Sequence, residues 1–270
     1  MNEKVYVSIV NYNNYNKTVN CLNSLLNLKY DNLNIILIDN KSVDDSYSKI
    51  KLWIENKNLS FSNNISDFNL ITLLKTKYNG GYAYANNIAI KLVYRFCENP
   101  YIWILNNDTI VDKDSLKFLI NSFSNDDVQI SGSRILYTNT SIVESFGGKI
   151  TNFFFSAYNN RILNESIDYI PGTSIFFKKN VIDEIGYFSE EYFMYYEDVD
   201  WSTKALKKNI KLKLVNDSIV RHYKTNNTSL YLRFYSFKNR LLYIYNNYPF
   251  YFPFQLLLLP VYIIKKIFFK

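Results

Sequence analysis

Residues 101–108 read Tyr-Ile-Trp-Ile-Leu-Asn-Asn-Asp. An apolar run of this length, cut off by three polar residues, describes a strand buried on both faces that ends at the edge of a sheet. Outward from it, toward the N-terminus, the same form recurs. Val5–Val10 ends at Asn11, Leu33–Ile38 ends at Asp39, and Leu70–Leu74 is followed by the pair Gly80-Gly81. Between these runs, Lys17–Leu28, Asp44–Asn56 and Ala83–Phe96 have helical patterning; Val19, Leu22, Leu25 and Leu26 share one face, as do Ile88, Leu92 and Phe96. Strands alternating with helices of this length predict βαβ units and a parallel sheet. Ligands of such sheets bind beyond the carboxyl ends of the strands. There the sequence puts Asn11, Asp39, Asn79–Gly81 and Asp108.

Toward the C-terminus the pattern is less regular. Ile130–Leu136, Ile150–Ala157 and Tyr169–Phe177 read as strands, Lys179–Ile185 and Asp198–Lys208 as helices, and Lys211–Val215 as a last strand leading to Arg221-His222. A chain of 270 residues with 48% hydrophobic and 20% charged residues excludes a disordered protein or a fibre, and fits one large domain or a domain with an appendage. Cys21 and Cys97, both in apolar helical patterns, make no disulfide framework and fit a reducing compartment. Met1–Val10 has one basic residue and too short an apolar run for a signal peptide.

The net charge of +7 is unevenly placed: residues 1–217 carry 23 basic against 24 acidic residues, and residues 218–270 carry eight basic and no acidic ones. The tail therefore points to an anionic partner, a membrane surface or a nucleic acid. Phe250–Ile264 is almost wholly apolar but is interrupted by Pro253 and Pro260, and it falls short of the ~20 apolar residues of a spanning helix. With Arg233, Lys238 and Arg240 before it and Lys265, Lys266 and Lys270 after it, the segment reads as one lying in a membrane interface. A helix covering the core, or a homodimer contact, would use the same residues. No motif supports nucleic acid.

Four clusters could carry chemistry. Asn79-Gly80-Gly81 is a turn in which backbone N–H groups can approach a phosphate, or an ordinary turn. Asp108, at a strand end, could hold a divalent cation against a pyrophosphate, since Mg²⁺ needs few carboxylates when phosphates complete its shell; a polar turn would look alike. Glu197-Asp198-Val199-Asp200 either opens a helix favourably or presents a buried general base. His222, the one His, is a structural side chain or a metal ligand.

In order along the chain stand Val7-Ser8-Ile9-Val10-Asn11-Tyr12-Asn13, Ile38-Asp39-Asn40-Lys41-Ser42, Asn79-Gly80-Gly81-Tyr82-Ala83 with Asn86-Asn87, and Leu105-Asn106-Asn107-Asp108-Thr109. Pro171-Gly172-Thr173, Ile185-Gly186-Tyr187-Phe188, Tyr196-Glu197-Asp198-Val199-Asp200 and His222 follow. Together they resemble a family 2 glycosyltransferase of the bacterial rhamnosyltransferase-like branch, over residues 4–240. The resemblance implies the α/β GT-A fold, a Rossmann-like, mostly parallel central sheet flanked by helices, with an amphipathic helical and aromatic C-terminal tail. It implies a domain over residues 1–230, with a nucleotide-binding half (1–110) and an acceptor-binding half (111–230), and a membrane-associating tail over 231–270.

The resemblance further implies an inverting, metal-dependent transferase in cell-surface polysaccharide synthesis. Its donor would be a nucleoside-diphosphate sugar, dTDP-rhamnose or a UDP-hexose, and its acceptor a saccharide or lipid-linked saccharide. The protein would be cytoplasmic, on the inner face of the plasma membrane. By the same resemblance Asn11, Asp39, Asn40, Asn79, Gly81 and Asn107 bind the donor, with Asp39 at its base or ribose. Asp108 and His222 ligate Mg²⁺ or Mn²⁺, Asp198 is the catalytic base, and Gly172, Thr173, Glu197 and Asp200 bind the acceptor. The first Asp of the family's Asp-x-Asp motif is Asn106 here, which removes one negative charge from the metal site. A non-catalytic, nucleotide-sugar-binding subunit is the alternative. A nucleotidyltransferase would want a Gly-rich, basic phosphate loop near the N-terminus, and Val7–Asn14 has neither Gly nor a basic residue.

Overall fold

The computed structural model describes residues 3–63, 70–124, 128–224 and 229–258. The N-terminal half runs β1 (Val5–Asn11), α1 (Tyr15–Leu26), β2 (Leu33–Asp39), α2 (Ser46–Asn56), β3 (Phe61–Ser62), β4 (Ile71–Lys75), α3 (Gly81–Phe96) and β5 (Tyr101–Asn106). The C-terminal half runs β6 (Thr109–Val111), α4 (Ser115–Asn121), β7 (Val128–Tyr137), β8 (Val143–Ser145), β9 (Gly148–Ile150), β10 (Ala157–Asn159), β11 (Ser174–Lys178), α5 (Asn180–Ile185), α6 (Glu197–Lys207), β12 (Lys211–His222), α7 (Leu230–Asn247) and α8 (Phe252–Leu257). One sheet orders them β3-β4-β2-β1-β5-β11-β7-β12-β6, with β8 on β7; β9 and β10 pair separately.

From β3 to β5 all pairings are parallel. Past β5 the sheet turns mixed: β11 runs antiparallel to both β5 and β7, and β12 runs parallel to β7 but antiparallel to β6. The continuous apolar runs follow from burial on both faces. Along β1, Val5, Val7 and Ile9 join Cys21, Leu22 and Ile50 of α1 and α2 in one core, and Tyr6 faces Ala89, Ile90 and Val93 of α3 in the other. Both cysteines are free thiols.

Three strand expectations change. Ile150–Ala157 is not one strand but β9, a turn and β10, closed by Thr151 N donating to the Ser156 carbonyl at 3.0 Å and Phe155 N donating to the Thr151 carbonyl at 2.9 Å. Tyr169–Phe177 becomes a strand only at Ser174. Before it, Pro171 has no N–H to give a ladder, and the Gly172 N–H is committed to a side chain across the cleft, described below. The last strand is longer than expected, because β12 continues through an irregularity between Val215 and Ile219 and delivers His222 to the end of β6.

The chain after residue 230 divides. The inner face of α7 is built into the domain: Tyr243 and Ile244 pack with Tyr192, Tyr196 and Val199, and Asn239 Nδ2 donates to the carbonyls of Met194 and Tyr195. Arg240, expected in the basic surface, is 3% exposed and donates to the Phe154 carbonyl. The outer face shows Leu230, Phe234, Phe250, Phe254 and Leu257 to solvent. No helix among the described residues is long and apolar enough to cross a membrane. Lys265, Lys266 and Lys270 lie outside the described residues.

Candidate active site

The parallel strands end together, with Asn11 opposite Asp39 and Val10 opposite Asn106. Beneath the surface these ends form a closed polar lattice. Asp39 Oδ2 accepts from Asn11 Nδ2 (2.8 Å) and Ser42 Oγ (2.6 Å), and its Oδ1 from Ser42 N (3.0 Å). Thr18 Oγ1 donates to Asn11 Oδ1 and accepts from Asn107 Nδ2, each at 2.8 Å. Asn40 Nδ2 donates to Asn79 Oδ1 and to the Gly81 carbonyl. Asn11 and Asp39 are 0% exposed and Asn40 3%. The structure therefore does not bring these three expected donor contacts to the cleft surface; it uses them to fix the loops after β1, β2 and β4. Gly81 is likewise tied up. Its φ is +87°, and a Cβ there would run into the Phe193 carbonyl, which accepts from Tyr82 N at 2.9 Å. That contact joins α3 to the segment before α6.

Across the join between the halves lies a cleft of about 650 Å³. Tyr82, Asn106, Asp108, Glu144, Gly172, Thr173, Glu197, Asp198 and His222 are among its lining residues. Asp198, in the first turn of α6, accepts from Gly172 N (2.7 Å) and Val199 N (2.8 Å). Tyr82 Oη donates to the Gly172 carbonyl at 2.6 Å, so the Gly172 peptide is gripped on both sides. A Cβ on Gly172 would already touch Tyr82 and Asp198. Burial pushes the Asp198 carboxyl above its ordinary value, against the pull of the two backbone N–H groups. Burial, then the Asp198 charge, pushes neighbouring Glu197 well above its own. Glu197 is 6% exposed and its Oε2 has no hydrogen-bond partner among the described residues. Asp200 does not reach the cleft: it is 1% exposed and accepts from Asn247 Nδ2 and Lys204 Nζ, so helix α7 covers it.

In the same cleft Asp108 Oδ1 lies 3.2 Å from His222 Nε2 and Asp108 Oδ2 lies 3.5 Å from Lys17 Nζ. Glu144 Oε2 holds the other ring nitrogen of His222, Nδ1, at 2.9 Å. Burial alone would raise Asp108, but the hydrogen bond and charge of His222, then Lys17, hold it below the usual carboxylate range. Burial alone would lower His222, but Asp108 and Glu144 push it up to about 10. The turn is anchored by Tyr223 N donating to the Asp108 carbonyl at 3.0 Å.

No three His, Cys, Asp or Glu side chains among the described residues form a metal cage by themselves. Asp108 and His222 nevertheless fit a cation whose shell a diphosphate completes, because one carboxylate and one imidazole face the cleft together. The Glu144 contact to the far ring nitrogen is the usual support for such an imidazole. Glu144, Tyr82 and Lys17 were not singled out in the sequence. Glu144 sits in the short strand β8, and only the pairing of β8 with β7 brings it beside His222.

The family model "Glycosyl transferase family 2" matches residues 6–186. The chain is 23% identical over 241 residues to the low-salt glycan biosynthesis hexosyltransferase Agl10 of Haloferax volcanii, covering 78% of this chain and 75% of that one. It is 27% identical over 209 residues to the poly-beta-1,6-N-acetyl-D-glucosamine synthase of Staphylococcus aureus, covering 75% of this chain and 45% of that one. Among solved structures, the mannosyltransferase PcManGT of Pyrobaculum calidifontis, in complex with GDP-Man and Mn²⁺, superposes with a TM-score of 0.67 at 15% identity over 91% of this chain and 64% of that one. This last likeness is one of fold.

Proposed function

We propose that this chain, which belongs to glycosyl transferase family 2, moves a hexose from a nucleoside-diphosphate sugar to a hydroxyl of a glycan or lipid-linked saccharide, with inversion at the anomeric carbon. Asp198 carries the reading. Its carboxylate lines the cleft, is fixed by two backbone N–H groups, and stands above its ordinary pKa through burial. A carboxylate so placed takes a hydroxyl proton better than a solvated one. The acceptor oxygen forms its bond to the anomeric carbon as the bond to the diphosphate breaks, and the diphosphate leaves with the bonding pair. The acceptor proton passes to Asp198. Entry of the hydroxyl opposite the leaving group gives the inversion.

Asp108 and His222 would hold a divalent cation in the same cleft, with Glu144 fixing the imidazole. When bound, that cation supplies Lewis-acid neutralisation of the leaving diphosphate. The sugar-transferring relatives support a hexose donor, for which we propose dTDP-rhamnose or a UDP-hexose. The apolar outer face of α7 and α8, with Arg233 and Lys238 exposed beside it, supports a seat on a membrane surface, where a lipid-linked acceptor resides.

The test is a donor screen with Mn²⁺, reading thermal stabilisation and nucleotide release for dTDP-rhamnose, UDP-galactose, UDP-glucose, UDP-N-acetylglucosamine and GDP-mannose. A donor at 100 times its Kd should add ~2.7 kcal/mol of stability. Stabilisation and release by one donor supports the reading. Stabilisation by none of the donors or bare nucleotides overturns it in favour of a scaffolding subunit. The same preparation should sediment with phosphatidylglycerol vesicles and not with neutral ones; recovery from neither removes the membrane seat.

A further inference from the structure

Lys17 stands in the first turn of α1, a turn with no acidic residue. A cation there opposes the helix dipole. Among the described residues its ammonium pairs with Asp108 Oδ2 at 3.5 Å, and it lies over the Tyr223 ring at 5.4 Å from the centroid. Asn20 Nδ2, one turn along the same helix, donates to Tyr223 Oη at 2.9 Å and fixes that ring. The lysine is thus aimed at the cleft edge, with its side chain 29% exposed. Asp108 is the one carboxylate on the turn Asn106-Asn107-Asp108, and its two oxygens face Lys17 Nζ and His222 Nε2. The ammonium thus shares its carboxylate with the imidazole, whose other ring nitrogen is already held by Glu144.

We propose that Lys17 is a diphosphate-binding residue, a built-in cation that shifts from Asp108 to the donor's phosphates and carries part of the charge neutralisation that a metal-rich site would assign to the cation alone. The inference rests on the donor reading above. In the ligand-free protein Asp108 stands in for the phosphate. When a diphosphate arrives with two or more negative charges, the ammonium gains a stronger partner within the reach of its flexible stem. Asp108 is then freed for the cation. Lys17 and the metal site are therefore coupled with opposite signs: removing the lysine weakens diphosphate binding without metal and strengthens metal binding without diphosphate.

Calorimetry on the full chain tests both signs. Uridine, guanosine and thymidine diphosphates are titrated in EDTA into the wild type and into Lys17→Met, which keeps the stem, and Lys17→Arg, which keeps the charge. Mn²⁺ alone is titrated into the same three proteins. For the diphosphate that the wild type binds, Lys17→Met should bind about tenfold more weakly in EDTA, the loss of one charge-assisted contact, and should bind Mn²⁺ more tightly. Lys17→Arg should stay near the wild type. Equal diphosphate affinity of Lys17→Met and wild type in EDTA, with unchanged melting temperature, overturns the role of Lys17 and leaves the donor reading standing. Binding of no diphosphate by the wild type, with or without Mn²⁺, overturns the donor reading and this inference with it.

Discussion

Two buried carboxylates, one at the end of β2 and one at the start of α6, live under different conditions. Asp39 meets three donors, from Asn11 and Ser42, and no solvent. Glu197 is almost as deeply buried and its Oε2 meets none. The first is paired as a scaffold should be, since each buried acceptor left without a donor costs ~1–3 kcal/mol. The second retains that cost at a place where the cleft opens. The lattice at the strand ends is thus assembled before any ligand arrives, and the cleft around α6 is held ready with unmet hydrogen-bonding capacity. Asp198 stands between these extremes, with two backbone donors and a face on the cleft.

The largest effect that separates the two regions is on turnover. Asp198→Asn removes the proton acceptor but keeps an oxygen for the Gly172 N–H. Transfer should fall by ~10²–10⁴-fold, with melting temperature and nucleoside-diphosphate affinity close to the wild type. Steady-state kinetics and calorimetry on one preparation check this. Turnover within a few-fold of the wild type would move the base elsewhere in the cleft.

The next effect is on stability, and it belongs to the other region. Asp39→Ala leaves the Ser42 N–H and O–H without their acceptor and takes one of the two acceptors of Asn11 Nδ2, at a buried site. Denaturant unfolding should show a loss of ~2–4 kcal/mol, and donor affinity should fall only as far as folded protein is lost. If Asp39→Ala unfolds like the wild type yet binds no nucleotide, then Asp39 turns out to meet the donor, and the contrast between the regions collapses.

The parallel half of the fold was open to reading because β1, β2 and β5 are mostly apolar runs that end in Asn or Asp, and burial on both faces favours such runs. The mixed half was less so. The segment before β11 has strand-like composition, but its Gly172 N–H is claimed by Asp198, a partner 26 positions along the chain. Composition carries no trace of such a contact. Asp108, Asp198 and His222 do meet at one cleft, as their motifs implied. Asn11, Asp39, Asn40 and Asp200 have the right residue types but spend them on internal hydrogen bonds, which spacing along a sequence cannot distinguish from ligand contacts. Glu144 was missed for the converse reason: a lone Glu in a three-residue strand acquires meaning only from the imidazole beside it.

The smallest effect has the sharpest sign. Burial first, then the Asp198 charge, raises Glu197 well above 4.5 in the folded protein. An acid with a raised folded pKa favours folding in its protonated form. Its contribution is present in full below the unfolded value and is lost as pH climbs toward the folded one. Glu197→Gln imitates the protonated state at every pH. The variant and the wild type should therefore be equally stable below about pH 4.5. Above that the variant should gain with rising pH, reaching ~1–2 kcal/mol near pH 8, a conservative share of the cost of a buried unmet acceptor. Asp39→Asn is the matched control: it reverses a hydrogen bond in the closed lattice and should lose stability at neutral pH. Urea unfolding of both variants across pH 4–8 gives the comparison directly. A Glu197→Gln protein that is less stable than the wild type at pH 8 would mean that the charged carboxylate has a favourable environment after all, and the unmet capacity assigned to the α6 side of the cleft would be lost with it.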